Sequence, residues 1–210
     1  MQIKETYKKL LDHFGFQKWW PVHTGTDRFL EVSIGAILTQ NTNWKNVEKA
    51  IENLIKDDVL SWDKLESIDL EKLKELIKPA GFYNQKAVYI KNFVKAVKGL
   101  PKERITRDLL LSIKGIGEET ADSILLYGLD RPYFVVDAYT KRIFYRLGIT
   151  KTENISYKKL QKIIQQNIPK DINIYKEFHA LLVELGKNYC RKRPLCIKCP
   201  LNNSCKKNLK

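Results

Sequence analysis

The sequence predicts an all-α fold. Apolar residues recur at helical spacing along most of the chain, period-two alternation is nearly absent, and turn-forming breaks separate about ten helices by short connections. The periodic sets are Tyr7, Leu10, Leu11 and Phe14; Val47, Ile51 and Ile55; Leu65, Leu73, Leu76 and Ile77; Ala87, Ile90, Phe93 and Val94; Leu160, Ile163 and Ile164; and Phe178, Leu182 and Leu185. Breaks fall at Pro21, Asp57-Asp58, Pro79-Ala80-Gly81, Gly99-Leu100-Pro101, Gly115, Gly117, Pro132, Gly148 and Pro169.

Composition narrows the function classes. The 210 residues are 43% hydrophobic, enough to fill a core or two small lobes. The formal charge of +14 favours a polyanionic partner, nucleic acid before membrane, because no long basic amphipathic helix stands out. No apolar run approaches the ~18 residues of a membrane span. The N-terminus, with Lys4, Glu5, Lys8 and Lys9, reads as a charged helix start and not as a signal peptide, so an intracellular, cytoplasmic location is expected. A nucleoid-associated monomer is a separate expectation.

Leu111-Ser112-Ile113-Lys114-Gly115-Ile116-Gly117-Glu118-Glu119-Thr120-Ala121-Asp122 is the most informative segment. It reads as helix, tight hairpin over 114–117, helix. Both glycines are expected to turn with φ > 0 and to leave their amides uncovered. Such amides at a helix N-terminus suit a nucleic-acid phosphate, and Lys114 lies on the same side. Glu118 and Glu119 fit the first turn of the second helix, and Ala121, Ile124 and Leu125 give it an apolar stripe. Some twenty residues on, Val135-Val136-Asp137 precedes Ala138-Tyr139-Thr140, where Asp137 fits a helix N-cap at a buried edge.

All four cysteines, Cys190, Cys196, Cys199 and Cys205, lie near the C-terminus with a Cys-x-x-Cys core. Clustering of this kind points to metal and away from a disulfide framework, and four thiolates suit either zinc or a [4Fe-4S] cluster. From Lys187 onward there are eight Lys/Arg and no Asp/Glu. Arg191, Lys192 and Arg193 inside the cysteine loop read as a phosphate-binding patch.

The hairpin, together with Phe134-Val135-Val136-Asp137, resembles the helix-hairpin-helix DNA glycosylases of the endonuclease III family, from about residue 25 to the C-terminus. The resemblance implies two helical lobes with a DNA cleft between them: residues 22–132 as a helical bundle with the hairpin, and 1–21 plus 133–210 as a second lobe with the cysteine loop 190–205. It also implies a [4Fe-4S] cluster, with zinc as the alternative. Many relatives end in Cys-x6-Cys-x2-Cys-x5-Cys; this chain has Cys-x5-Cys-x2-Cys-x5-Cys, one residue short in the first gap.

Base removal passes through an oxocarbenium-like state, and Asp137 is the carboxylate expected to stabilise that charge and to orient or deprotonate water. In the bifunctional branch, the second residue after the last hairpin glycine is a lysine that attacks C1′; here it is Glu119, which implies a monofunctional enzyme. Gln40, within Thr39-Gln40-Asn41-Thr42, matches the family's residue that enters the hole left by a flipped nucleotide. In Gly81-Phe82-Tyr83-Asn84-Gln85-Lys86, Asn84 is expected to cap a helix and Lys86 to reach a phosphate. Trp19, Trp20 and Trp44 resemble the aromatic set of the 3-methyladenine branch and, with Lys187, are the expected base pocket; cationic alkylpurines suit stacking and cation–π attraction. The expected partner is double-stranded DNA with a damaged base, preferentially an alkylated purine. A thymine or uracil mismatch glycosylase is the alternative within the class, and a non-catalytic, metal-stabilised DNA-binding protein the alternative outside it.

Overall fold

A computed structural model describes residues 3–209. The expected all-α class holds: eleven α-helices and several short 3₁₀ or π turns occur among the described residues, with no strand. The chain divides into two compact units, Trp20–Asp130 and Met1–Trp19 with Arg131–Lys210.

The continuous unit is built around α2 (Arg28–Leu38), in which every residue from Phe29 to Leu38 is buried. Asp27 caps it by accepting from the amides of Phe29 and Leu30. Around it lie α3 (Trp44–Lys56), α4 (Trp62–Ser67), α5 (Leu70–Leu76), α6 (Tyr83–Val97), α7 (Arg107–Ser112) and α8 (Glu118–Ser123). Side chains of Asn43, Ser61, Asp69 and Thr106 cap α3, α4, α5 and α7. The helix after the hairpin widens into a π turn over Ile124–Gly128, which packs against α2 through Phe29 and Val32.

The split unit contains α1 (Ile3–Phe14), α9 (Ala138–Arg146), α10 (Tyr157–Asn167) and α11 (Ile172–Asn188). Its core is aromatic: Phe178 of α11 meets Tyr7, Phe134 and Phe144. The extended segment leading to Asp137 is buried, so its backbone must find partners. Helix α10 supplies them. Gln165 accepts from the Phe134 amide, Gln161 donates to the Phe134 carbonyl and the Tyr157 hydroxyl accepts from the Val136 amide.

Candidate DNA interface and active site

In the hairpin, Ile113 and Ile116 are buried while Lys114, Gly117 and Glu119 are exposed. Arg107 reaches from α7 to the fully buried Asp122 of α8, with Nε at 2.7 Å from Oδ1 and Nη2 at 3.2 Å from Oδ2, and this bidentate pair locks the two helices. One sequence expectation needs correction. Gly115 has φ +100°, and a Cβ there would sit 2.2 Å from the Tyr89 ring. Gly117 has φ −91° and ψ 179°, extended backbone open to any residue, and a Cβ there would meet nothing within 4 Å. Gly115 answers an internal requirement of the turn; nothing inside the chain requires Gly117.

Gln40 follows α2 in a turn that continues through Asn41 at φ +54°. Its side-chain amide donates to the Gly115 carbonyl at 3.0 Å and to Thr120 Oγ1 at 3.1 Å. The turn is therefore referenced directly to the hairpin.

The segment before α6 departs from expectation in two ways. Lys86 is 2% exposed, and its Nζ donates to the carbonyls of Leu38 and Ala80, both at 2.8 Å. It is not placed to reach a phosphate. Burial pulls its pKa down to about 8. Asn84 does not cap the helix either: α6 starts at Tyr83, and the capping position is Phe82, in the left-handed region at φ +47° with no side-chain cap bond. Phe82 is 61% exposed. Left-handed backbone at a bulky residue costs of order 1–3 kcal/mol and points to a function for the outlier. The sequence signal was an aromatic directly after Gly81, at a helix start.

The tryptophans divide between the two units. Trp20 belongs to the continuous unit, where its ring lies over Gly35 of α2 and meets Trp44 edge-on, with centroids 5.0 Å apart. Trp44 Nε1 donates to Glu48 at 2.8 Å. Trp19 belongs to the split unit, edge-on to His179 with centroids 6.0 Å apart and with Lys187 Nζ 5.4 Å from its ring centre. Lys187 also lies 3.4 Å from Glu184.

Asp137 caps α9. Its Oδ1 accepts from the amide and the hydroxyl of Thr140, both at 2.7 Å, which fixes the carboxylate plane. Its Oδ2 lies 3.8 Å from Nε2 of His179 on α11. His179 is buried; desolvation pushes its pKa down, the Asp137 charge opposes this only in part, and the imidazole is neutral near pH 7. His179 thus links Asp137 to Trp19, and through that ring to Lys187, within one unit. What remains is a fixed, largely desolvated carboxylate able to act on positive charge.

Helix α9 runs from Asp137 to the cysteine loop. Arg142 donates to the Cys190 carbonyl at 2.8 Å, and Arg146 donates to the Arg191 carbonyl at 2.6 Å and the Lys192 carbonyl at 3.1 Å. The side chains of Arg191, Lys192 and Arg193 face outward, exposed. All four cysteines are half-buried and unbridged, and they line one cavity with Arg146 and Asn202. Burial, then mutual repulsion, raises the thiols of Cys199 and Cys205, a penalty that a cationic centre removes. The buried Asn202 Oδ1 has no hydrogen-bond partner. These donors fit a group held by four thiolates. No set of three or more His, Cys, Asp or Glu among the described residues is arranged to hold a single metal ion.

A helix-hairpin-helix, a capped aspartate after a buried extended segment and a four-cysteine loop define a class, and comparison with known proteins gives it a family. Residues 34–170 match the HhH-GPD superfamily of base excision DNA repair proteins, and the chain belongs to that family. It is a base excision repair DNA glycosylase. It is 53% identical to a provisional DNA repair glycosylase of Methanocaldococcus jannaschii, over 97% of this chain and 95% of that one. It is 32% identical to endonuclease III of Thermotoga maritima, over 87% of this chain and 84% of the relative. The solved structure of H. pylori 3-methyladenine DNA glycosylase bound to 1,N6-ethenoadenine is 31% identical, with TM-score 0.78, 89% of this chain and 98% of that one being covered.

Proposed function

We propose that the protein is a monofunctional glycosylase that hydrolyses the N-glycosidic bond of alkylated purines in double-stranded DNA, with water as the nucleophile. Two observations carry this reading: Asp137 is fixed by Thr140, and Glu119 stands at the motif position where a bifunctional enzyme needs an amine. A carboxylate cannot form a Schiff base with C1′. The cationic lesion supplies its own leaving-group activation, so the reaction asks mainly for stabilisation of the oxocarbenium and for an aligned water. The aromatic groups at Trp19, Trp20 and Trp44 and the likeness to the H. pylori 3-methyladenine enzyme support the lesion class.

In this reading the amides of Gly115 and Gly117, with Lys114, bind phosphate. Gln40 leaves its hairpin bonds to fill the space of the flipped nucleotide, and Phe82 stacks against the exposed bases. Cys190, Cys196, Cys199 and Cys205 hold a [4Fe-4S] cluster, which cross-links the loop that presents Arg191, Lys192 and Arg193. Four half-buried cysteines lining one cavity, with a spacing close to that of the endonuclease III family, support this assignment. The protein acts as an intracellular monomer.

The test is single-turnover release of 3-methyladenine, ethenoadenine, uracil, mismatched thymine and 8-oxoguanine, with borohydride trapping alongside. Release of the alkylated purines without a trapped adduct is expected. Asp137→Asn should slow release about 10²–10³-fold while leaving lesion binding intact. A strong trapped band, or normal turnover by the Asn variant, defeats the mechanism.

A further inference from the structure

Lys86 is among the largest fully enclosed side chains of the molecule, and it ends in an amine. An apolar chain of equal length would fill the same space without the cost of burying a charge. The amine is therefore explained by what it donates to. Leu38 is the last residue of α2, two residues before Gln40; Ala80 ends the 3₁₀ turn Lys78–Ala80, two residues before Phe82. One Nζ, 2.8 Å from each carbonyl, fixes the distance between the two turns. The Gln40 turn is tied a second time, to the hairpin through Gly115 and Thr120.

We infer that Lys86 is a positioning residue: it holds the Gln40 and Phe82 turns in register, so that the two side chains enter the duplex together. This inference rests on the DNA-contact roles proposed for Gln40 and Phe82. The same helix supplies a control. Lys91 also donates to two carbonyls, of Glu66 in the last turn of α4 and of Ile68 in the connection to α5, with no candidate DNA contact there. Generic stapling of α6 and positioning of the two turns thus make different predictions for Lys86, which is buried, and Lys91, which is half-buried.

The experiment uses the full chain and a duplex carrying a tetrahydrofuran abasic site opposite 2-aminopurine, whose fluorescence rises on unstacking. Lys86→Met should reduce the fluorescence change about tenfold while affinity for undamaged duplex stays within about twofold. In the Gln40→Ala/Phe82→Ala background, Lys86→Met should add less than about a twofold effect, because groups acting as a unit are not additive. Lys86→Gln keeps two N–H donors; it should recover part of the signal, and it carries the same cycle if the Met variant does not fold. Lys91→Met should leave the signal unchanged. An equal loss from Lys86→Met in both backgrounds, or a matching loss from Lys91→Met, overturns the inference with the Gln40 and Phe82 roles intact. A normal signal from the Gln40→Ala/Phe82→Ala protein instead removes those roles, and the inference falls with them.

Discussion

The hairpin at 111–122 and the cysteine loop at 190–205 serve the same proposed purpose, presenting groups to a phosphate backbone, but they are held in opposite ways. The hairpin supports itself. Ile113, Ile116 and Ala121 are buried, Arg107 clamps Asp122, and Tyr89 packs against Gly115. Between Cys190 and Cys205 only Leu201 is buried, and the regular structure is two 3₁₀ turns of three residues each. That segment leans on the arginines of α9 and on whatever its thiolates bind. In the proposed reading, a cluster supplies there the cross-link that buried apolar residues supply in the hairpin.

Removing the proposed cluster is the sharpest way to break the comparison and should have the largest effect. Protein purified without oxygen should be brown and carry about four irons per chain. Its removal should raise amide exchange across 190–205 towards unfolded rates and cost several kcal/mol of stability, on the scale of structural metal sites, while 111–122 stays protected. Equal protection of both segments after removal would show that the loop is as self-supporting as the hairpin.

Gly115→Ala attacks the hairpin from inside. The residue must keep φ near +100°, and the new methyl meets the Tyr89 ring. Backbone strain and overpacking together should cost about 2–4 kcal/mol in denaturant unfolding, with loss of DNA binding as the turn deforms. A variant as stable as the parent would mean that the hairpin relaxes at no cost.

What the sequence made legible follows range of interaction. Helices were readable because their signal repeats every three or four residues, and the hairpin because Gly-Ile-Gly between apolar runs has few other solutions. Asp137 was readable as a cap because its partner, Thr140, is three residues away. Lys86 was not. A lysine is exposed by default, and the Leu38 carbonyl that buries it lies 48 positions earlier in the chain. His179 was missed as a neighbour of Asp137 for the same reason: α9 and α11 meet only in the folded unit. That Trp19 and Trp20 fall on different units is likewise a property of the fold and not of the dipeptide.

Gly117→Ala should have the smallest effect on the fold, and it isolates function from stability within one motif. The position has ordinary extended backbone and open space where a Cβ would go, so Ala fits without strain. Gly→Ala at a compatible site stabilises by about 0.4–1 kcal/mol through the unfolded chain, and the poorer helix N-cap costs about as much in return. The melting midpoint should therefore hardly move. The methyl would, however, stand beside the amide at the start of α8, where a phosphate oxygen must approach. Binding to undamaged duplex should weaken by about 1.5–3 kcal/mol, the value of one hydrogen bond to a charged group. Gly115→Ala and Gly117→Ala then separate cleanly: the first loses stability and binding together, the second binding alone. If Gly117→Ala binds duplex DNA as well as the parent does at the same ionic strength, the exposed amides of the hairpin do not hold the phosphate, and the basic side chains carry that role instead.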